Sequence, residues 1–166
     1  MCTLLTQCTH NDSMEARSKK EEMNTMLTIN ATDVRREWSS VMESVIREKP
    51  RFIKRTRDRL VLADVDLVES LLMVYRFTAS CFTEEDGSVT ISLNEIDLVE
   101  NAPTEADAKR LLGQSILDYA EDFYNEFSLW RAAPNRKSHI PYVLKALIMD
   151  DAVKIGDSIE CQTGEN

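Results

Sequence analysis

Apolar positions change their period twice along the chain. Val34, Trp38, Val41, Met42, Val45 and Ile46 recur at i, i+4, i+7, i+8, i+11 and i+12, one apolar face of a helix. Thr32 is the expected N-cap, Asp33 suits the positive end of the dipole, and Pro50 stops the helix. Two short β-rich runs follow, residues 51–55 and 60–63, joined through Thr56, Arg57, Asp58 and Arg59, and Asp64 caps a helix over 65–72. From Tyr75 the pattern alternates. Tyr75, Phe77, Ala79 and Cys81, an Asp86-Gly87 turn, then Val89, Ile91 and Leu93 predict a hairpin, with Ile96, Leu98 and Val99 as a third strand.

A second long helix opens at Thr104, with Asp107 at the capping-box position. Its apolar face runs Ala108, Leu111, Leu112, Ser115, Ile116, Tyr119, Ala120, Phe123 and Phe127 before Pro134-Asn135 breaks it. Val143, Leu144, Leu147 and Ile148 predict another helix over 140–149, and Val153, Ile155 and Ile159 an edge segment. The order predicts an α+β chain in two parts, residues 26–72 and 73–166, divided near 72–76 where the period changes. Residues 1–25 are polar and aperiodic and read as a disordered extension, with Met14, Met23 or Met26 as alternative starts.

Charge divides the chain in the same place. The protein has 166 residues and a net charge of −9. Residues 26–70 hold nine basic and eight acidic side chains, whereas residues 71–166 hold eight and seventeen. The acidity argues against indiscriminate nucleic-acid binding by the whole chain, yet it leaves room for a local basic face. Arg35 and Arg36 fall in the first turn of the predicted helix, where cations oppose the dipole, so an external anion such as a DNA phosphate is the expected compensation. Arg55 and Arg57 fall on one side of an extended chain and Lys54 on the other.

Little else points to chemistry. Cys2, Cys8, Cys81 and Cys161 have no CxxC spacing and no companion His, so they read as unpaired thiols, with neither a disulfide framework nor a metal site expected. His139, beside Pro141-Tyr142, reads as structural; Trp38 and Trp130 read as core residues. No phosphate loop, dinucleotide fingerprint or nucleophile–base pair is present, and no cofactor is implied. No apolar run reaches membrane-spanning length and no signal peptide is legible, so a cytoplasmic location is expected.

Residues 26–72 resemble the Phd/YefM antitoxins. The resemblance rests on a short strand at 27–31, the helix start Thr32-Asp33-Val34-Arg35, a Pro, the strand Ile53-Lys54-Arg55, and the close Leu62, Val65, Ser70, Leu71. The turn departs from the family's usual Asn-Gly. More weakly, Asp86 to Leu93 followed by Thr104-Glu105-Ala106-Asp107-Ala108 resembles the HicB-like antitoxin module, a small antiparallel sheet packed on a helix. The first resemblance implies operator-DNA contacts for Arg35 and Arg55; beside it, the basic neighbours Arg36, Arg57 and Arg59 are second-rank candidates for phosphate contacts. It also implies autorepression of an operon. A module of some 45 residues buries little surface by itself, so Trp38, Met42 and Val45 are expected to be covered by a second copy in a homodimer. The acidic second part is expected to bind a basic toxin, an RNase of the RelE type. The alternative is a stand-alone transcriptional regulator whose second part senses something else; an enzyme is the remotest reading.

Overall fold

The computed structural model describes residues 28–163, so the predicted extension over 1–25 lies outside the described residues. The chain divides into two compact units between Leu67 and Val68. The fold class is α+β: each unit has a small mixed sheet packed on helices.

The first unit runs β1 (Thr28–Asn30), α1 (Ala31–Arg36), α2 (Trp38–Arg47), β2 (Arg51–Arg55) and β3 (Asp58–Leu62). β1 lies parallel to β2, and β2 antiparallel to β3. The single predicted helix is two. Glu37 leaves helical geometry at φ −117°, ψ 30°, although its N–H still bonds Asp33 O and its carbonyl still accepts from Val41 N–H. One misplaced residue leaves the apolar spacing intact, so periodicity does not reveal it. Asn30, rather than Thr32, stands at the cap position, and it caps through no side-chain bond. The core is small: Val34, Val41, Val45 and Ile53, with Ile29, Ala31 and Leu62 against them. Met42 is half-buried. Trp38 is not in the core; opening α2 immediately after the break, it is 54% exposed.

The β2–β3 connection is tighter than expected. Arg55 pairs with Asp58, so only Thr56 and Arg57 turn the chain, and β3 begins two residues earlier than the sequence suggested. Thr56 takes φ 54°, a left-handed conformation unfavourable for a β-branched residue. Such a turn matches the twist of paired strands, which explains why the hairpin accepts the strain.

Helix α3 (Val65–Leu72) carries the chain across the division. The second unit continues with β4 (Thr78–Thr83), β5 (Val89–Leu93), β6 (Val99–Ala102), α4 (Glu105–Asn125), α5 (Phe127–Trp130), a 3-10 turn at Lys137–His139, α6 (Ile140–Met149), α7 (Ala152–Asp157) and β7 (Glu160–Thr163). Its sheet order is β6-β5-β4-β7. The expected antiparallel sheet is in fact mixed, because β7 adds parallel to β4. The edge segment expected around Ile155 and Ile159 is helix followed by strand, with both isoleucines buried. Ile96 is buried in a bend ahead of β6 rather than within a strand.

Helix α4 begins as predicted. Thr104 Oγ1 accepts from Asp107 N–H at 3.1 Å and donates to the Asp107 carboxylate at 2.8 Å. Its buried face, Ala108, Leu112, Ile116, Ala120 and Phe123, meets Phe77, Ile91, Val143, Ala146 and Ile155 in one core. Trp130 stacks on Phe123 at 6.2 Å, in keeping with a core role. The backbones of α4 and α7 touch through Gly113 and Gly156. The expectation of unpaired thiols fails for two of the cysteines: Cys81 on β4 and Cys161 on β7 are joined as a disulfide. They are 80 residues apart, and only the parallel edge strand brings them together.

Candidate nucleic-acid interface and partner surface

Seven of the nine described basic residues of the first unit fall into two groups. Arg36 pairs with Asp33 at 3.0 Å and Glu37 at 3.2 Å, and Arg47 pairs with Glu43. Arg51 is half-buried, bonded to Ser44 and lying 3.4 Å from Glu48, which accepts from Ser44 Oγ at 2.9 Å. These arginines are neutralised within the fold. Arg35, Lys54, Arg55 and Arg57 are exposed and make no ion pair to any described residue.

The helix break changes the electrostatic argument for Arg35. It lies in the last turn of the six-residue α1, not the first turn of a long helix, so it complements the dipole instead of opposing it. A phosphate shared with helix N–H groups is therefore not available there. The hairpin is where charge gathers. Arg55 shares the face of β2 that carries buried Ile53, and Arg57 occupies the turn rather than an extended strand. Lys54 stands directly across from Arg59 on the opposite face, beside exposed Phe52 and Val61. The two-residue turn thus sets two cationic side chains side by side on that face. The pairing of Lys54 with Arg59 escaped sequence reasoning because the turn is two residues long, not four.

Chemistry in the second unit is sparse. Tyr119 Oη shares a 2.7 Å hydrogen bond with His139 Nδ1 and accepts from Arg136 at 3.1 Å. Burial, then the Arg136 charge, lowers the His139 pKa, with Asp97 opposing. The Arg136 guanidinium covers the rings of both Tyr119 and Trp130. This is a structural cluster, as the sequence suggested for His139. A cavity of about 430 Å³ is lined by Leu72, Met73, Ile148 and Met149, with Glu69, Arg76, Lys145, Ser158 and Glu160 around them. Lys145 Nζ donates to Tyr75 O at 2.6 Å; burial foremost, and the Arg76 charge, lower its pKa. Arg76 pairs with Glu160 at 2.7 Å. Leu71, Met73 and Val74 are strongly exposed. Cys81, Cys161 and Glu105 place their ligand atoms within 4.8 Å of one another, but both sulfurs are committed to their mutual bond. No helix among the described residues is long and apolar enough to cross a membrane.

Comparison with known proteins places this two-unit chain. No curated protein matches it. A solved crystal structure from Syntrophomonas wolfei subsp. wolfei, described as the antitoxin part of a presumptive toxin/antitoxin system, is 34% identical. The match covers 82% of this chain and 99% of that one, with a TM-score of 0.78. That share exceeds either unit alone, so the likeness extends over both. A family model described as PHD-like antitoxin of toxin–antitoxin, RelE/RelB, matches residues 23–161. The model takes in the basic hairpin, the helical core and the start of the parallel edge strand together, and the chain belongs to this family of toxin–antitoxin antitoxins.

Proposed function

We propose that the first unit is a Phd/YefM-type dimerisation and operator-binding module, and that the second unit neutralises a RelE-type RNase toxin. The observation that carries the first half is the surface of residues 28–67. Only four apolar side chains are buried in its core, while Trp38, Ile46, Phe52, Leu60, Val61 and Val65 remain exposed. So many exposed apolar side chains in a unit this small call for a cover, and a second copy related by two-fold symmetry supplies one. Two copies also present two basic hairpins, which suits a palindromic operator. Arg55, Arg57 and the Lys54–Arg59 pair make the contacts in this reading, with Arg35 as a separate phosphate contact and ion-paired Arg36 a lesser one.

The acidic balance of residues 71–166 supports a basic partner for the second unit. A folded partner-binding domain fits the core found there better than a tail that orders on binding. The test is a two-part binding experiment. Full-length protein is titrated against DNA upstream of its own gene at several salt concentrations, and its operon neighbour is co-expressed and co-purified. Operator binding as a dimer with a salt-dependent slope, together with a stable complex with a basic neighbour, is the expected result. A monomer at micromolar concentration with no preference for that DNA overturns the first half. Neutralisation of the neighbour by residues 28–67 alone overturns the second.

A further inference from the structure

We infer that Cys81 and Cys161 form a reversible thiol–disulfide clasp that fastens the C-terminal strand to the sheet and so controls one wall of the second unit's cavity. Strand β7 is short, lies at the sheet edge and pairs on one side only, through Thr78–Glu160 to Cys81–Thr163. Besides the disulfide, it is held by this ladder, by Glu160 N–H donating to Phe77 O at 2.9 Å, by the buried side chain of Ile159 just before it and by the Arg76–Glu160 ion pair. That pair is largely exposed, and such pairs contribute little. The covalent bond is therefore a fastening that outlasts fraying of this short ladder. The same segment supplies Ser158 and Glu160 to the cavity. Loosening it opens the wall that faces Lys145 and Ile148, and it leaves β4 as an unpaired edge.

Both cysteines are half-buried residues rather than sealed in the core. The oxidant in this reading is a low-molecular-weight disulfide. One cysteine thiolate attacks it, forming a mixed disulfide and releasing one thiolate. The second cysteine then attacks the protein sulfur of that intermediate, closing Cys81–Cys161 and releasing the other thiolate. The two protons lost by the cysteines end on the two small thiols, and the two electrons reduce the incoming disulfide. Glu105 lies within 4.8 Å of both sulfurs and disfavours their thiolates, while its partner Lys109, at 3.0 Å, offsets that charge.

The test uses the full-length protein, reduced with dithiothreitol and then equilibrated with reduced and oxidised glutathione mixtures. Peptide mapping is expected to find Cys81 linked to Cys161 in the oxidised sample and released in the reduced one. Hydrogen exchange is expected to show the amides of residues 78–81 and 160–163 losing protection on reduction, with a fall in Tm on the order of 10 °C. Cys161→Ser and Cys81→Ser are expected to behave as the reduced parent under both conditions. Free thiols at both positions across all glutathione ratios overturn the proposal, as does equal protection of the two strands in both states. Stoichiometric zinc uptake by the reduced protein, abolished in either serine variant and leaving the strands equally protected, overturns it in favour of a metal site.

Discussion

Replacing Gly113 by alanine tests the packing on which the second unit depends. A Cβ at Gly113 would lie 2.2 Å from Ala152 O, 2.7 Å from Gly156 N and 3.0 Å from Gly156 Cα. All three are backbone atoms, so no rotamer change relieves the clash. Restoring an ordinary contact of about 3.4 Å requires α4 and α7 to part by roughly 1 Å, a gap that forfeits a quarter to a half of the dispersion well of each contact crossing it. The side chains affected include Leu112, Ile116 and Ile155, all essentially fully buried. Overpacking costs typically about 1–3 kcal/mol and occasionally more. A clash with immovable backbone belongs at the upper end, about 4 kcal/mol. Higher helix propensity of alanine returns about 1 kcal/mol. The net destabilisation is about 3 kcal/mol, a Tm decrease of roughly 12–24 °C for a unit of this size. Urea unfolding followed by far-UV circular dichroism and Trp130 fluorescence reads it out. Gly87→Ala is the control: Gly87 has φ 84° with nothing within 4 Å, so only the left-handed penalty of about 1–2 kcal/mol applies. A Gly113→Ala protein no less stable than Gly87→Ala would refute the claim that close helix approach is essential.

Thr56→Asn should stabilise the first unit by about 0.5–1 kcal/mol, since asparagine tolerates the φ of 54° better than a β-branched residue; Trp38 fluorescence in urea checks this. Because the folded pKa of His139 is lowered from 6.5, its contribution to stability is present above pH 6.5 and is lost as pH falls through the folded value. The urea midpoint of the second unit should therefore decline from pH 7 toward pH 5, and His139→Gln should flatten that decline. Asp86 and Asp151 do not confuse the window, since their pKa values lie below 3.8. Arg55→Ala should weaken operator binding by about 1–3 kcal/mol with relaxed base preference if it reads a base. Lys54→Ala should instead reduce the salt slope by about one unit for each phosphate that the lysine neutralises, and anisotropy titrations at several salt concentrations distinguish the two.

Much of the local structure was legible in the chain. The capping of α4 by Thr104 and Asp107, the turn at Gly87 and the apolar face from Ala108 to Phe123 are short-range features, fixed by residues three or four apart, and the structure keeps them. The two arginines singled out for DNA lie on the expected elements, but their surroundings differ. The break at Glu37 moved Arg35 to the end of a helix, and the two-residue turn set Lys54 against Arg59. Side chains alternate with a period of two, so a small misplacement of a hairpin turn reassigns its faces. The sequence alone thus determined the α+β class and the separation of basic from acidic charge, because composition and local periodicity carry them. Only the tertiary structure decided the parallel placement of β7, the Cys81–Cys161 bond, the Gly113–Gly156 contact and the exposure of Trp38. Each depends on segments far apart in sequence meeting at a particular register or angle, which is set by packing of the whole unit and leaves no mark in local spacing.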